Sequence, residues 1–229
     1  MNSNSTSPSN SLTCVIFDLD GTLIDSMKVW LIIDEAFLTK RGLELPHDLH
    51  YSICGMSFKE TAHYFIKRFS LTESPEAIMD EWKAMAKETY ETVPLKDGAL
   101  EFIQFLASRG IKMGIATSNH RDVLDKLLIR LDISHFFEST RTSCEVKQGK
   151  PAPDVFLAVA KDLGVDPSQC AVFEDSPAGV QGAIAAGMIP FVIKDDSYIA
   201  EENSMKNLSD GRYFETWYDV IAAFPAYLD

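Results

Sequence analysis

The chain has 229 residues, of which 46% are hydrophobic and 24% are charged. These values are ordinary for a globular protein and allow one domain, or one domain that carries an insertion. The formal net charge of -13 argues against a nucleic-acid or membrane partner, because both are anionic and repel an acidic chain. The four cysteines lack the Cys-x-x-Cys spacing of a zinc site. Since no apolar run could span a bilayer, we expect a soluble, cytoplasmic protein.

Short apolar runs predict two strands with a long stretch between them. Residues 12–17 are rich in β-forming side chains and predict a buried strand that ends at Asp18. The next predicted strand covers residues 111–117 and follows an amphipathic helix over residues 97–109. The polar residues 1–11 predict a disordered tail.

The stretch between these strands has the apolar periodicity of helices, over residues 29–39, 58–69 and 75–90. A parallel crossover connection needs only one helix. The surplus therefore predicts an all-helical cap domain, residues 25–92, inserted into a discontinuous α/β core domain of residues 12–24 and 93–229. We expect its hinges at residues 23–26 and 92–96.

Beyond residue 117, predicted helices and predicted strands alternate along the chain. Helices are expected over residues 124–131, 154–163 and 179–186, and strands over residues 137–142, 170–173 and 189–193. Such alternation is typical of a doubly wound, Rossmann-like parallel sheet covered by helices on both faces.

Polar side chains follow several of the predicted strands. Ligands of open parallel sheets bind beyond the carboxyl ends of the strands. The residues expected at that edge are Asp18, Asp20, Thr117, Ser118, Asn119, Glu174 and Asp175, with Lys150 in a nearby loop. Each alone has a simpler explanation as a helix cap, a turn or a solvated loop residue. Together, four carboxylates repel one another unless a cation lies between them, and Mg²⁺ binds carboxylates and phosphate oxygens at once.

Four ordered motifs resemble one family. They are Asp18-Leu19-Asp20-Gly21-Thr22, Ala116-Thr117-Ser118-Asn119, Gly149-Lys150-Pro151-Ala152-Pro153-Asp154 and Phe173-Glu174-Asp175-Ser176-Pro177-Ala178-Gly179. From about residue 13 to residue 193 the chain is similar to the haloacid dehalogenase superfamily. The similar branch has its helical cap after the first strand and includes pseudouridine 5′-phosphatases, sugar-phosphate phosphatases and β-phosphoglucomutase-like proteins.

The resemblance implies a role for each motif. Asp18 would be the nucleophile that becomes phosphorylated, and Asp20 the general acid–base. The phosphoryl group would be bound by Thr117, Ser118, Asn119 and Lys150. Mg²⁺ would be bound by Asp18, the backbone carbonyl of Asp20, Asp175 and, through a water, Glu174. The implied activity is Mg²⁺-dependent hydrolysis of a small phosphorylated metabolite by a monomer or weak homodimer. The second aspartate favours phosphate esters, because the dehalogenase and phosphonatase branches lack it.

The leaving group is less well determined by the sequence. The resemblance allows a sugar phosphate, a polyol phosphate or a nucleoside monophosphate, and the cap residues expected to face the leaving group are Trp30, Met56, Ser57 and Lys59. Phosphoryl transfer within a sugar phosphate, as in β-phosphoglucomutase, is the alternative. Phe58 stands where that mutase has an arginine, and Trp30 where it has a histidine, so both positions favour hydrolysis. A non-catalytic binding protein on the same fold is the alternative of another class.

Overall fold

The computed structural model describes residues 11–228, and its centre is a six-stranded parallel sheet. The strands lie in the order β3-β2-β1-β4-β5-β6. They are β1 Cys14–Phe17, β2 Lys112–Thr117, β3 Ser139–Thr142, β4 Cys170–Glu174, β5 Ile189–Ile193 and β6 Tyr213–Phe214. The predicted α/β class and parallel sheet are confirmed. Apart from Ser11, the tail predicted over residues 1–11 lies outside the described residues.

There are ten α-helices in residues 11–228, and those that were predicted begin and end within three residues of the expected positions. The ten helices are α1 Met27–Thr39, α2 Leu49–Ile53, α3 Phe58–Phe69, α4 Pro75–Thr89, α5 Ala99–Ser108, α6 Arg121–Arg130, α7 Asp154–Leu163, α8 Pro177–Ala185, α9 Glu202–Leu208 and α10 Trp217–Ala223. Serine caps explain several of the starts. Ser57 forms a capping box with Glu60 at α3, and Ser74 accepts a hydrogen bond from the backbone of Ala77 at α4.

The helices α1–α4 occupy the chain between β1 and β2, which are neighbours in the sheet. We call residues 25–92 the helical insert. Its two connections to the sheet run side by side, because the Asp25 N–H donates to the Pro94 carbonyl at 3.2 Å and the Lys96 N–H donates to the Leu23 carbonyl at 2.8 Å. The insert therefore leaves and rejoins the rest of the chain at one place.

Alternate residues of β1 pack into different cores. Val15 and Phe17 belong to a large cluster with α5 and α10, whereas Cys14 and Ile16 belong to a second cluster with α7. Both faces of the sheet are thus covered, as period-2 alternation in a buried parallel strand requires. The same arrangement places the carboxyl ends of β2, β1 and β4 together at the middle of one sheet edge.

Four elements were not predicted. The helices α2, α9 and α10 span only five to seven residues each, and β6 has two. Segments this short carry too few turns for a periodic pattern, so packing determines them. In residues 11–228, no helix combines the length and the apolar composition needed to cross a bilayer.

We predict that Phe102→Ala lowers the free energy of unfolding by about 3–5 kcal/mol. Phe102 is fully buried and contacts the rings of Phe17, Phe173 and Trp217 at centroid distances of 5.2 to 6.1 Å. Urea unfolding measures the loss. Phe105→Ala, on the same helix but only partly buried, is the matched control and should lose less than half as much. Equal losses would contradict this account of the core.

Candidate active site

Most polar residues of the site lie at or just after the carboxyl ends of three neighbouring strands. Asp18 and Asp20 follow β1, Thr117 ends β2, and Glu174 ends β4 with Asp175 directly after it. Because these strands are adjacent and parallel, their ends meet. The side chains of Asp18, Thr117, Glu174, Asp175, Asn119 and Lys150 are all buried there. The sequence analysis expected this convergence.

Lys150 reaches into the middle of the acidic residues from a loop. Its Nζ donates to Asp18 Oδ1 at 2.6 Å, to Glu174 Oε1 at 2.6 Å and to the Ala116 carbonyl at 3.0 Å. Burial alone would lower the pKa of Lys150, but the charges of Asp18 and Glu174 outweigh burial and raise it. The ammonium group therefore stays charged. The peptide bond between Lys150 and Pro151 is cis.

The carboxylates of Asp18, Glu174 and Asp175 form a compact cluster. Each offers an oxygen within 4.8 Å of the others. Burial, followed by the charges of Asp18 and Glu174, raises the pKa of Asp175 well above its ordinary value. Burial likewise raises the pKa of Asp18, although the Lys150 ammonium opposes the change. One lysine cannot balance three buried carboxylates, so this donor set suits a hard divalent cation.

Two glycines allow the carboxylates to come this close to the backbone. A Cβ on Gly179 would lie 1.9 Å from the Glu174 carboxyl carbon, and a Cβ on Gly21 would lie 2.2 Å from Asp175 Oδ2. Gly21 also has a φ of +79°, which favours glycine. The Asp175 carboxylate is held on its other oxygen by Thr22, whose hydroxyl donates to Oδ1 at 2.9 Å.

Asp20 points away from this cluster. Its Oδ1 accepts hydrogen bonds from the hydroxyls of Ser26, at 2.7 Å, and Tyr90, and from the indole N–H of Trp30 at 3.1 Å. Its Oδ2 accepts from the Asn119 amide at 2.9 Å. The Asp20 side chain therefore belongs to a network of neutral donors, three of them from the helical insert. Only its backbone carbonyl is left for the predicted metal contact.

The residues predicted to bind phosphate follow β2 and have distinct partners. Thr117 Oγ1 accepts from the Asn119 backbone N–H at 3.1 Å, while His120 caps helix α6, so Thr117 is not the cap of that helix. The Ser118 hydroxyl donates to the carbonyl of Gly55 at 3.1 Å. This hydrogen bond joins the sheet edge to the helical insert.

A cavity of about 320 Å³ opens beside the site. Of the four cap residues expected to face the leaving group, Trp30 and Met56 line this cavity, whereas Ser57 and Lys59 do not. Ser57 is buried as the N-cap of α3, and Lys59 is exposed on the first turn of that helix.

Three side chains of the site were not predicted from the sequence. Tyr90 and Ser26 donate to Asp20, and Asp34 lines the cavity from α1. Tyr90 is fully buried beside the predicted hinge at residues 92–96, and burial together with the Asp20 charge raises its pKa. A polar aromatic residue next to a hinge is the one sequence signal that could have identified it.

Comparison with known proteins agrees with this geometry. The family described as haloacid dehalogenase-like hydrolase matches residues 15–193. The chain belongs to this family. It is 32% identical over 182 residues to a phosphorylated carbohydrates phosphatase of Thermotoga maritima, which covers 77% of the chain and 82% of the relative. It is 29% identical over 199 residues to a probable pseudouridine-5′-phosphatase of Drosophila melanogaster, covering 84% and 86%.

The fold of this haloacid dehalogenase-like hydrolase is shared more widely. A β-phosphoglucomutase from Clostridium difficile superposes with a TM-score of 0.80 over 95% of the chain and 97% of that structure, at 19% identity. Identity this low shows the fold alone. Both of these curated relatives are named as phosphatases, and the prediction of a phosphoric monoester hydrolase is confirmed.

We predict that Asp175→Asn raises the thermal stability of the metal-free protein at neutral pH. The folded-state pKa of Asp175 is raised, so the ionised carboxylate destabilises the fold at any pH above its unfolded value, and the amide removes that charge while its oxygen still accepts from Thr22. Added Mg²⁺ should raise the melting temperature of the wild type and not that of the variant, because binding to the folded state stabilises it. Differential scanning fluorimetry with MgCl₂ or chelator measures both.

The matched control is Asp122→Asn, which removes an exposed carboxylate from α6. It should respond to Mg²⁺ as the wild type does. An equal response from Asp175→Asn would exclude this carboxylate as part of the cation site.

Proposed function

We propose that the protein is a Mg²⁺-dependent phosphatase that hydrolyses a small phosphorylated metabolite through an aspartyl-phosphate on Asp18. The substrate class is a sugar phosphate, a polyol phosphate or a nucleoside monophosphate. The observation that carries this proposal is the contrast between two carboxylates two residues apart. Asp18 lies against the Lys150 ammonium at 2.6 Å, whereas Asp20 is surrounded by neutral donors. Such a contrast suits a nucleophile and a general acid–base.

In the first step a carboxylate oxygen of Asp18 attacks phosphorus, and the bond from phosphorus to the leaving oxygen breaks. Asp20 gives its proton to that oxygen, so the leaving group departs as a neutral alcohol. In the second step Asp20 takes a proton from water, which attacks the phosphorus and releases phosphate from Asp18. Both steps need a carboxylate that exchanges protons while its side chain stays in one orientation. The four hydrogen bonds to Asp20 would hold its side chain in that orientation.

The other residues of the site would bind the phosphoryl group and offset its negative charge. Lys150 offsets negative charge next to Asp18, and Thr117, Ser118 and Asn119 place polar groups beside the same strand ends. Mg²⁺ bound by Asp18, Glu174, Asp175 and the Asp20 carbonyl would offset the charge on the phosphoryl oxygens.

We further propose that residues 25–92 are a cap domain that closes over the site. The paired connections at residues 23–26 and 92–96 provide a single hinge region. The observed hydrogen bonds from Trp30 and Tyr90 to Asp20 support this proposal, because they complete the surroundings of the general acid only when the helical insert is docked. The proposed working form is a monomer or weak homodimer in the cytoplasm.

The mutase alternative receives less support. Phe58 lines the cavity at the position where the mutase has an arginine, and its ring packs edge-on against Trp30 at 5.7 Å. An apolar ring there offers nothing to hold the second phosphate that the mutase reaction requires.

We predict Mg²⁺-dependent phosphate release from at least one ester in a panel of sugar phosphates, polyol phosphates and nucleoside monophosphates that includes pseudouridine 5′-phosphate. Asp18→Asn should lower kcat by at least about a thousandfold, because the nucleophile is lost. Asp122→Asn should leave kcat unchanged. Conversion of β-glucose 1-phosphate to the 6-phosphate without net phosphate release would instead favour the mutase.

We also predict that Tyr90→Phe lowers kcat by about tenfold with little change in KM, because Asp20 loses one of its hydrogen-bond donors. Steady-state kinetics on the best ester of the panel measures the effect. Tyr218→Phe, which removes an exposed hydroxyl from α10, is the control. A kcat equal to that of the wild type would show that Tyr90 has no positioning role.

A further inference from the structure

The insert side of the cavity is apolar apart from a few groups. Its side chains include those of Trp30, Leu45, Ile53, Met56, Phe58 and Trp82. The cavity is lined by one lysine or arginine among residues 11–228, namely Lys150. That lysine is already paired with Asp18 and Glu174. The part of the cavity available to a leaving group therefore has no free cation.

Asp34 is the acidic residue that the helical insert contributes to the lining of this cavity. It lies on α1, one turn after Trp30, and is partly buried. Within residues 11–228 its carboxylate makes neither a salt bridge nor a side-chain hydrogen bond, although sixty-two hydrogen bonds that involve side chains occur in that range. Burial raises its pKa to about 7. A partly buried carboxylate without a protein partner gains from a ligand that donates hydrogen bonds to it.

Two histidines, His47 and His50, also line the cavity, and neither places a buried positive charge there. Burial lowers the pKa of His50, whose ring packs against Tyr198 at a centroid distance of 4.7 Å, so this imidazole is neutral at neutral pH. His47 is exposed at the edge of the cavity. An anionic substituent on the leaving group would meet the Asp34 carboxylate and find no buried cation to offset it.

We propose that Asp34 is a specificity-determining residue, which accepts hydrogen bonds from the hydroxyl groups of an uncharged leaving group and excludes leaving groups that carry a second anionic group. This inference rests on the proposed phosphatase function and narrows its substrate class to phosphate monoesters whose leaving group is uncharged and carries hydroxyl groups. Bisphosphates and phosphorylated carboxylic acids are excluded by the same carboxylate. The apolar side chains around Asp34 would contact the C–H faces of the leaving group.

The test compares esters that differ only in charge at the far end. Glycerol 3-phosphate and 3-phosphoglycerate differ by a hydroxymethyl group against a carboxylate, and sorbitol 6-phosphate and 6-phosphogluconate differ in the same way. The kcat/KM of each ester is measured at about pH 8, where a carboxyl group with a pKa near 7 is mostly ionised. The variants are Asp34→Asn and, as the matched control, Glu35→Gln, which removes the neighbouring but exposed charge from the same helix.

The wild type should prefer the uncharged member of a pair by at least about tenfold, given the strength of charge repulsion in a partly buried site. Asp34→Asn should bring the two values together, by raising kcat/KM for the anionic ester and lowering it, mainly through KM, for the hydroxylated one. Glu35→Gln should keep the wild-type ratio. A ratio that Asp34→Asn leaves unchanged, or a wild-type preference for the anionic ester, would overturn the inference.

The same assay distinguishes failure of this inference from failure of the proposed function. Hydrolysis of 4-nitrophenyl phosphate, without hydrolysis of either hydroxylated ester, would overturn the inference and leave the phosphatase standing. No release from any ester, 4-nitrophenyl phosphate included, would overturn both.

Discussion

The ammonium group of Lys150 lies between the carboxylates of Asp18 and Glu174, and the arrangement of the whole site depends on these two contacts. Two carboxylates buried side by side without it would carry uncompensated charge, at a cost of about 3–5 kcal/mol when one partner of such a pair is removed. The loop that carries Lys150 also packs on the helical insert. A Cβ on Gly55 would come within 2.9 Å of the Lys150 carbonyl. The two ion pairs of Lys150 thus hold the ends of β1 and β4 together and position the loop against which the helical insert packs.

A second constraint links the insert to the chemistry. Asp20 is bound by donors from α1, from the end of α4 and from the loop after β2. These donors come from parts of the chain up to 99 residues away from it. Their convergence keeps the proposed general acid separate from the acidic cluster, although only one residue lies between Asp18 and Asp20. The different surroundings of the two aspartates are therefore a property of the tertiary structure.

Much of this arrangement could be predicted from the sequence, because it follows from local rules. Apolar runs and alternation are enough for a parallel sheet, and polar residues at strand ends are enough for a site at its edge. The hydrogen bonds of Tyr90 and Trp30 to Asp20 and the place of Asp34 in the cavity lining could not be predicted, since each depends on how the insert docks. Ser57 is a second case in which the contacts of a side chain could not be predicted from the sequence. It was expected to face the leaving group, but its side chain forms a capping box with Glu60 at the start of α3.

The paired connections of the insert have a consequence for the topology of the protein. Ile24 bridges both Asp20 and Leu95, so the chain is nearly closed into a turn before the helices begin. The four helices therefore begin and end at one bridged point of the chain. In the proposed mechanism, sequence changes within residues 25–92 would alter the contacts to the leaving group, while the residues at the ends of β1, β2 and β4 would keep their contacts to the phosphoryl group.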